Sequence, residues 1–312
     1  WRIIFTTREH YFDDLNRLCL DVLGVVPTKL YIPELTRDEL DELSKSYSFV
    51  LPNNKRLRSL LRLPFYLNAY LMFYDSSTEE PMDLIRFKEH LWDKRIKCGD
   101  AKREIVFREI ALKRANTGKF YLPVDSHYLS AAEALMKDEV LGRKETLFFI
   151  SHDLYEEWAI EKFIAISFEN KSSVAEFFTS LGVSLAVRRC FRLWLSEQLL
   201  INKDGIKIFI ENAMDDPDIE SIWKDELITS ILLSDYSSTF FENFASELLE
   251  HNSDLLFRIN FILRIACKEV DNSMLDLLGL KGTNFAYFTK PKGAGWPAFI
   301  NFIFEKKESL AL

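Results

Sequence analysis

Apolar residues recur along this chain mostly at helical spacing, broken by a few short continuous runs. Trp1–Glu9 begins as an apolar strand and ends in the polar residues Thr6, Thr7 and Arg8. Leu15, Leu18, Cys19, Val22 and Leu23 then share one helical face, with Gly24 as a natural stop. Lys29–Ile32 reads as a short strand, and Thr36 with Glu39 forms a capping box that opens a helix. Arg58–Met72 is helical in pattern but interrupted by Pro64, which favours a first helical turn, so a helix is expected to restart there.

After the polar loop Asp75–Pro81 come helices over Leu84–Ile96 and residues 102–115, then a short extended piece, Tyr121–Pro123. Ser130 and Glu133 make another capping box, for a helix ending near Gly142, followed by polar Arg143–Thr146. Leu147, Phe148 and Phe149 form a buried strand. Asp153 and Glu156 fit a third capping box, so a helix is expected to start at about residues 152–154 with His152 at its mouth. Helices, a two-stranded wing and a last helix describe a winged-helix unit at about residues 97–168.

Beyond it, helical spacing continues through Val174–Val187, Cys190–Leu200, Ile206–Met214, Leu227–Leu233, Phe240–Leu249 and Leu256–Cys267. The segments near Ile206 and Phe240 share an apolar helix, a polar turn and a second apolar helix. That similarity leads to an expectation of HEAT-like helical pairs in a superhelix. Lys290–Pro297 reads as a loop whose G-x-G lacks the context of a dinucleotide site.

Composition narrows the class. Of 312 residues, 48% are hydrophobic and 28% charged, which is globular; only 10 Gly and 9 Pro argue against an all-β fold. The net charge of −8 gives no general electrostatic reason to hold DNA or RNA. The basic run Lys55-Arg56-Leu57-Arg58 with Arg62 reads as a solvated helix face. Cys19, Cys98, Cys190 and Cys267 lie far apart, as expected of reduced, buried thiols in a cytoplasmic protein. No apolar run approaches the roughly 20 residues that span a bilayer, and no signal peptide is visible.

Catalytic and metal motifs are missing from the sequence. There is no G-x-x-x-x-G-K-[ST] phosphate loop and no apolar strand ending in paired acidic residues. H-E-x-x-H, G-x-S-x-G and zinc-spaced Cys/His clusters are also absent.

A helix start suits a phosphate, because its N–H groups and dipole face an anion. A histidine there can add a donor, although most such histidines cap or pack. Here the stretch Leu147–Ala159, LFFISHDLYEEWA, resembles the histidine motif in the winged helix of STAND nucleotide switches of the NACHT type. A buried strand runs into His152, then Glu156-Glu157 and Trp158, with Ile160 and Glu161 where that pattern has small residues. The strand ending Thr6-Thr7-Arg8 resembles the sensor-1 element of the same class, which implies that Arg8, beside Thr7, reaches the terminal phosphate. Leu63-Pro64 stands where the class packs a proline on adenine. Each has a plainer reading: a surface arginine for Arg8, helix punctuation for Pro64.

The resemblance covers about the first 170 residues. It implies a mainly α chain with a small α/β part. Residues 1–33 end a P-loop nucleotide-binding core, 34–96 form a small helical domain, 97–168 the winged helix, and 169–312 a helical scaffold. Such proteins are ATP-controlled switches that rest with ADP, open on meeting a trigger and oligomerise; many bacterial ones serve in antiphage defence. ATP or ADP with Mg, a homo-oligomer and a trigger protein, for some members phage-derived, are the cofactors and partners implied. On this reading the chain is a fragment starting after the Walker motifs, inactive alone. The rival is a non-enzymatic HEAT-like protein-interaction scaffold. DNA binding by the winged helix is a third reading, disfavoured by the acidic balance.

Overall fold

A computed structural model describes Cys19 and residues 22–25, 33–73, 82–201, 203–249, 254–279 and 288–306. The chain divides into two compact units, Trp1–His90 and Leu91–Leu312. It is mainly helical, with two small two-stranded antiparallel sheets among the described residues. The strands expected over Trp1–Glu9 and Lys29–Ile32 lie outside those residues, as does the Asp75–Pro81 loop.

In the first unit, Cys19, Val22 and Leu23 are helical and Gly24 follows at φ +64°. Cys19 is buried, while Val22 and Leu23 are exposed. Helix α1 (Arg37–Ser46) starts at the expected capping box. The Thr36 N–H donates to Glu39 Oε2 at 2.7 Å and the Glu39 N–H donates to Thr36 Oγ1 at 3.2 Å. These bonds from Thr36, backbone first, hold the Glu39 carboxyl below its usual range. A carboxyl lowered on folding favours the folded state above its unfolded pKa, and the benefit is lost as pH falls through the lowered value. Thr36→Ala removes the hydroxyl bond but keeps the larger backbone one, so Glu39 is expected to return only part of the way toward the ordinary range, read by NMR titration of its carboxyl.

Asn54 caps α2 (Lys55–Leu60), whose Leu57 is fully buried. The basic run is tied into local partners: Arg58 pairs with Asp41 at 2.9 Å, and Arg62 Nε donates to the Leu35 carbonyl at 2.6 Å. Pro64 does open a helix, α3 (Pro64–Phe73). Tyr66 and Tyr70 of α3 pack on Phe87, and the Tyr70 hydroxyl donates to the Val50 carbonyl at 2.8 Å.

The helix expected over 84–96 is an α-helix only over Leu84–Leu91 (α4), then becomes a π turn over Trp92–Lys97. The turn ends at Cys98, with φ +44°. Arg103, on α5 (Ala101–Thr117), takes its last carbonyls: Nε donates to Ile96 O at 2.8 Å and Nη2 to Arg95 O at 2.9 Å. Nη2 also meets Asp138 Oδ2 at 2.6 Å. An arginine that is 6% exposed thus stands where an apolar residue would be expected.

The hairpin comes earlier than its polar residues imply. Helix α6 spans Leu129–Lys137, β1 spans Leu141–Lys144 and β2 spans Leu147–Ile150. Gly142 and Arg143 are thus strand residues rather than helix end and loop. Gly142 lies opposite Phe149, whose ring comes within 2.2 Å of where a Cβ would stand, so only glycine leaves that ring its place. The extended piece at Leu122 bridges to Phe148, its N–H donating to Phe148 O at 2.9 Å. Ser130 is not a cap: α6 begins a residue earlier, behind a 3-10 turn (Ser126–Tyr128) capped by Asp125, and Glu133 faces Arg143 at 3.6 Å.

Helix α7 (Asp153–Glu169) packs on α5, and the remaining helices gather in turn. The expected segment Val174–Val187 is two helices, α8 (Val174–Leu181) and α9 (Leu185–Ile201), because Gly182 turns at φ +70°. Then come α10 (Lys203–Asp215), α11 (Ser221–Leu233), α12 (Ser237–Asn243), α13 (Ala245–Leu249) and α14 (Asp254–Ala266). Phe177, Phe178, Phe191, Trp194, Phe209 and Trp223 form an aromatic core between α8, α9, α10 and α11. Across α9 and α11, Arg188 and Arg192 approach Glu226 at 3.1 and 2.9 Å.

Part of the expected loop at 290–297 is ordered structure. After β3 (Lys268–Val270) and α15 (Asn272–Leu277), β4 (Thr289–Pro291) pairs with β3, and Gly295 begins α16 (Gly295–Glu305). Gly293 and Gly295 lie against the backbone of Leu232 and Leu233. This close approach lets α16 pack on both α11 and α12. Helices of a simple solenoid touch only their neighbours. Here α9 meets α5, α7, α10 and α11.

Candidate functional site

His152 is the N-cap of α7. Its Nδ1 accepts from the Leu154 N–H at 3.3 Å, and its carbonyl accepts from the Tyr155 N–H at 2.9 Å. This corrects the expectation that Asp153 and Glu156 form the capping box. Both carboxylates turn instead to Arg114 of α5, at 2.7 Å from Asp153 and 3.3 Å from Glu156. Ser151, the other cap-type residue, is also committed elsewhere. Its hydroxyl donates to the Glu139 carbonyl and to the Val140 carbonyl at 2.9 Å, closing the base of the hairpin.

The rest of the motif is held inside this unit. Glu157 pairs with Arg189 of α9. Trp158 is buried with its ring 5.6 Å from Tyr155, which meets Phe107 of α5 at 6.5 Å and His152 at 6.2 Å. The aromatic contacts fix α7 against α5, and the hairpin fixes the chain entering it.

A nitrogen that accepts a hydrogen bond carries no proton, so the cap selects the tautomer with hydrogen on Nε2. The imidazole then offers Nε2–H as its donor. The helix start itself is a poor phosphate cradle, because the Leu154 and Tyr155 amides are engaged and two carboxylates flank it. The residues therefore do not form a nest of backbone amides for a phosphate.

Pro64 sits at the first position of α3 with its ring exposed, which fits contact with a flat apolar group. It belongs to the first unit and His152 to the second. Thr7 and Arg8 lie outside the described residues. Among the described residues no group of three or more His, Cys, Asp or Glu is placed to hold a metal ion. No described helix is long and apolar enough to cross a membrane.

Two features escaped the sequence reading. Arg114 belongs to no motif, and nothing near it in the chain marks a partner 39 residues away. Cys98 is exposed, not buried, because it closes the π turn in a left-handed conformation; the other three thiols are buried. Burial pushes the Cys190 thiol far up and the Cys267 thiol up to about 11, so neither is a thiolate at neutral pH.

An open depression of about 530 Å³ lies beside Lys171, Asn212, Asp215 and Asp216. The Lys171 ammonium lies 3.4 Å from the centre of the Phe168 ring and donates to the Phe168 carbonyl, so its charge is already engaged. The sequence matches no family model and no curated protein.

Proposed function

We propose that this chain is the regulatory portion of an ATP/ADP-controlled STAND-type switch, with residues 97–168 as its winged helix and His152 as the contact that favours the closed, ADP-bound state. The observation that carries the reading is the Nδ1 cap, which holds the His152 ring at the start of α7. The ordered motifs support it, as do the succession of helix, bridged strand, helix, hairpin and helix, and the exposed ring of Pro64. On this reading Arg8, with Thr7, reports the terminal phosphate, and the full-length protein supplies the phosphate loop and Mg site. Oligomerisation follows a trigger, in keeping with a role in bacterial antiphage defence.

A ligand contact shifts an equilibrium only by its difference between the two states. One charge-assisted hydrogen bond of about 1.5–3 kcal/mol biases closure by roughly ten- to a hundred-fold. His152→Ala in the full-length protein is thus expected to oligomerise without its trigger. Alanine also removes the cap, at a cost of about 1 kcal/mol, so instability alone could produce a change. His152→Ser separates the two, since a serine caps well but is too short to reach a ligand. Trigger-free assembly of His152→Ser at the parental melting temperature is the expected result. A stable His152→Ser protein that stays monomeric until triggered refutes the role.

A second reading, a non-enzymatic helical scaffold, draws on α14. Phe257, Phe261 and Ile265 stand at i, i+4 and i+8, and are 69%, 53% and 64% exposed. A phosphate loop encoded directly upstream of Trp1 favours the switch. Upstream sequence without one favours the scaffold.

A further inference from the structure

We propose that Arg114 decides which residue caps α7, and so acts as the positioning residue for His152. The local sequence Asp153-Leu154-Tyr155-Glu156 is a complete capping box, and Asp is a standard N-cap residue. Left to local preference, the helix would start one residue later, with Asp153 as cap and Glu156 reaching back to its N–H. His152 would then lie outside the helix, with Nδ1 no longer held by the Leu154 amide.

Arg114 removes both competitors at once. Nη2 holds Asp153 at 2.7 Å and Nε holds Glu156 at 3.3 Å, two carboxylates three positions apart on one helical face. A guanidinium fork can serve both, whereas an ammonium is a single point. The arginine is itself fixed. Its side chain is 14% exposed and its Cζ lies 4.8 Å from the centre of the Phe120 ring, which stacks on Phe149 of the hairpin. Nη1 is buried without a hydrogen-bond partner, a cost borne to keep the fork on the two acids. The same α5 side chain thus reaches the hairpin through Phe120 and sets the first residue of the helix that follows it.

The consequence for nucleotide control rests on the proposed function; the choice of cap does not. Residues 1–312 labelled with 15N-histidine provide the test, with the His152 signal assigned from His152→Gln. The parent chain is expected to show His152 locked with hydrogen on Nε2 and Nδ1 accepting. Arg114→Gln should abolish that lock, giving the averaged nitrogen shifts of an unrestrained ring. Arg114→Gln with Asp153→Ala, which deletes the competing cap, should restore it. Arg114→Lys should leave the lock only partly populated.

An unchanged His152 signal in a folded Arg114→Gln chain overturns the proposal. So does failure of Asp153→Ala to restore the signal in a folded double variant. If Arg114→Gln does not fold, the Arg114→Lys chain decides, a fully locked His152 there being fatal. In the full-length protein, Arg114→Gln should release ADP faster, and should add nothing in the His152→Ser background. If His152→Ser itself leaves ADP release unchanged, the nucleotide reading fails while the choice of cap stands on the NMR result.

Discussion

Arg103→Met is expected to lower the stability of the second unit by roughly 2–4 kcal/mol, because it leaves two carbonyls unserved in a buried site. Ile96 O and Arg95 O both accept from this guanidinium, at 2.8 and 2.9 Å, at the end of a π turn. The third partner matters less: the Asp138 side chain is 41% exposed, so its ion pair is screened. Asp138→Asn should therefore cost well under about 1 kcal/mol, and the difference between the two variants separates the carbonyl bonds from the charge pair. Methionine keeps the apolar stem, so the loss reports the hydrogen bonds rather than a cavity. Urea unfolding of both variants gives the comparison. Equal losses for Arg103→Met and Asp138→Asn would assign the stabilisation to the charge pair instead.

The other large effect is expected in the aromatic core. Trp223, 1% exposed, has its ring 5.3 Å from both Phe178 and Phe191. Trp223→Ala should cost about 3–5 kcal/mol, the usual range for emptying a buried aromatic position. Such a loss is a large share of the roughly 5–15 kcal/mol that holds a domain folded. Trp223→Phe keeps part of the volume and should fall well below that. Thermal unfolding followed by near-ultraviolet circular dichroism, which reports packed aromatic rings, checks both. Identical losses for the two variants would mean that the indole makes a contact that phenyl cannot supply.

Helical character was legible wherever the apolar spacing was regular, and several boundaries were legible in local chemistry. Thr36 with Glu39 and Pro64 each open a helix as their types imply. The failures share a cause, a partner that lies outside the local pattern. Asp153 and Glu156 have the right spacing for a capping box, yet Arg114 takes both. Gly142 reads as the end of a helix and Arg143 as part of a polar loop, whereas the two pair with Phe149 and Phe148 in the hairpin. Ser130 offers a capping hydroxyl but stands already inside α6, behind the turn that Asp125 caps. Two further boundaries are marked by residue type. Gly182 marked the break between α8 and α9, and Pro297, in the first turn of α16, is a residue that helix starts favour. Of the site, the place of His152 could be read and the identity of its bond could not. Arg8 and Thr7 rest on the sequence alone.

The π turn at Trp92–Lys97 bears on how relatives of this chain should be aligned. Such a turn closes its hydrogen bonds one residue further along than an α-helix does, so it is equivalent to a helix that has accepted a single inserted residue. The carbonyls of Arg95 and Ile96 belong to the last turn, where any helix end leaves its carbonyls without ladder partners, and Arg103 serves them whether the turn is π or α. A homologue lacking one residue between 92 and 97 should therefore carry a plain α-helix there and keep its use for an arginine at the position of Arg103. Alignment methods that forbid gaps inside helices would misplace that single residue.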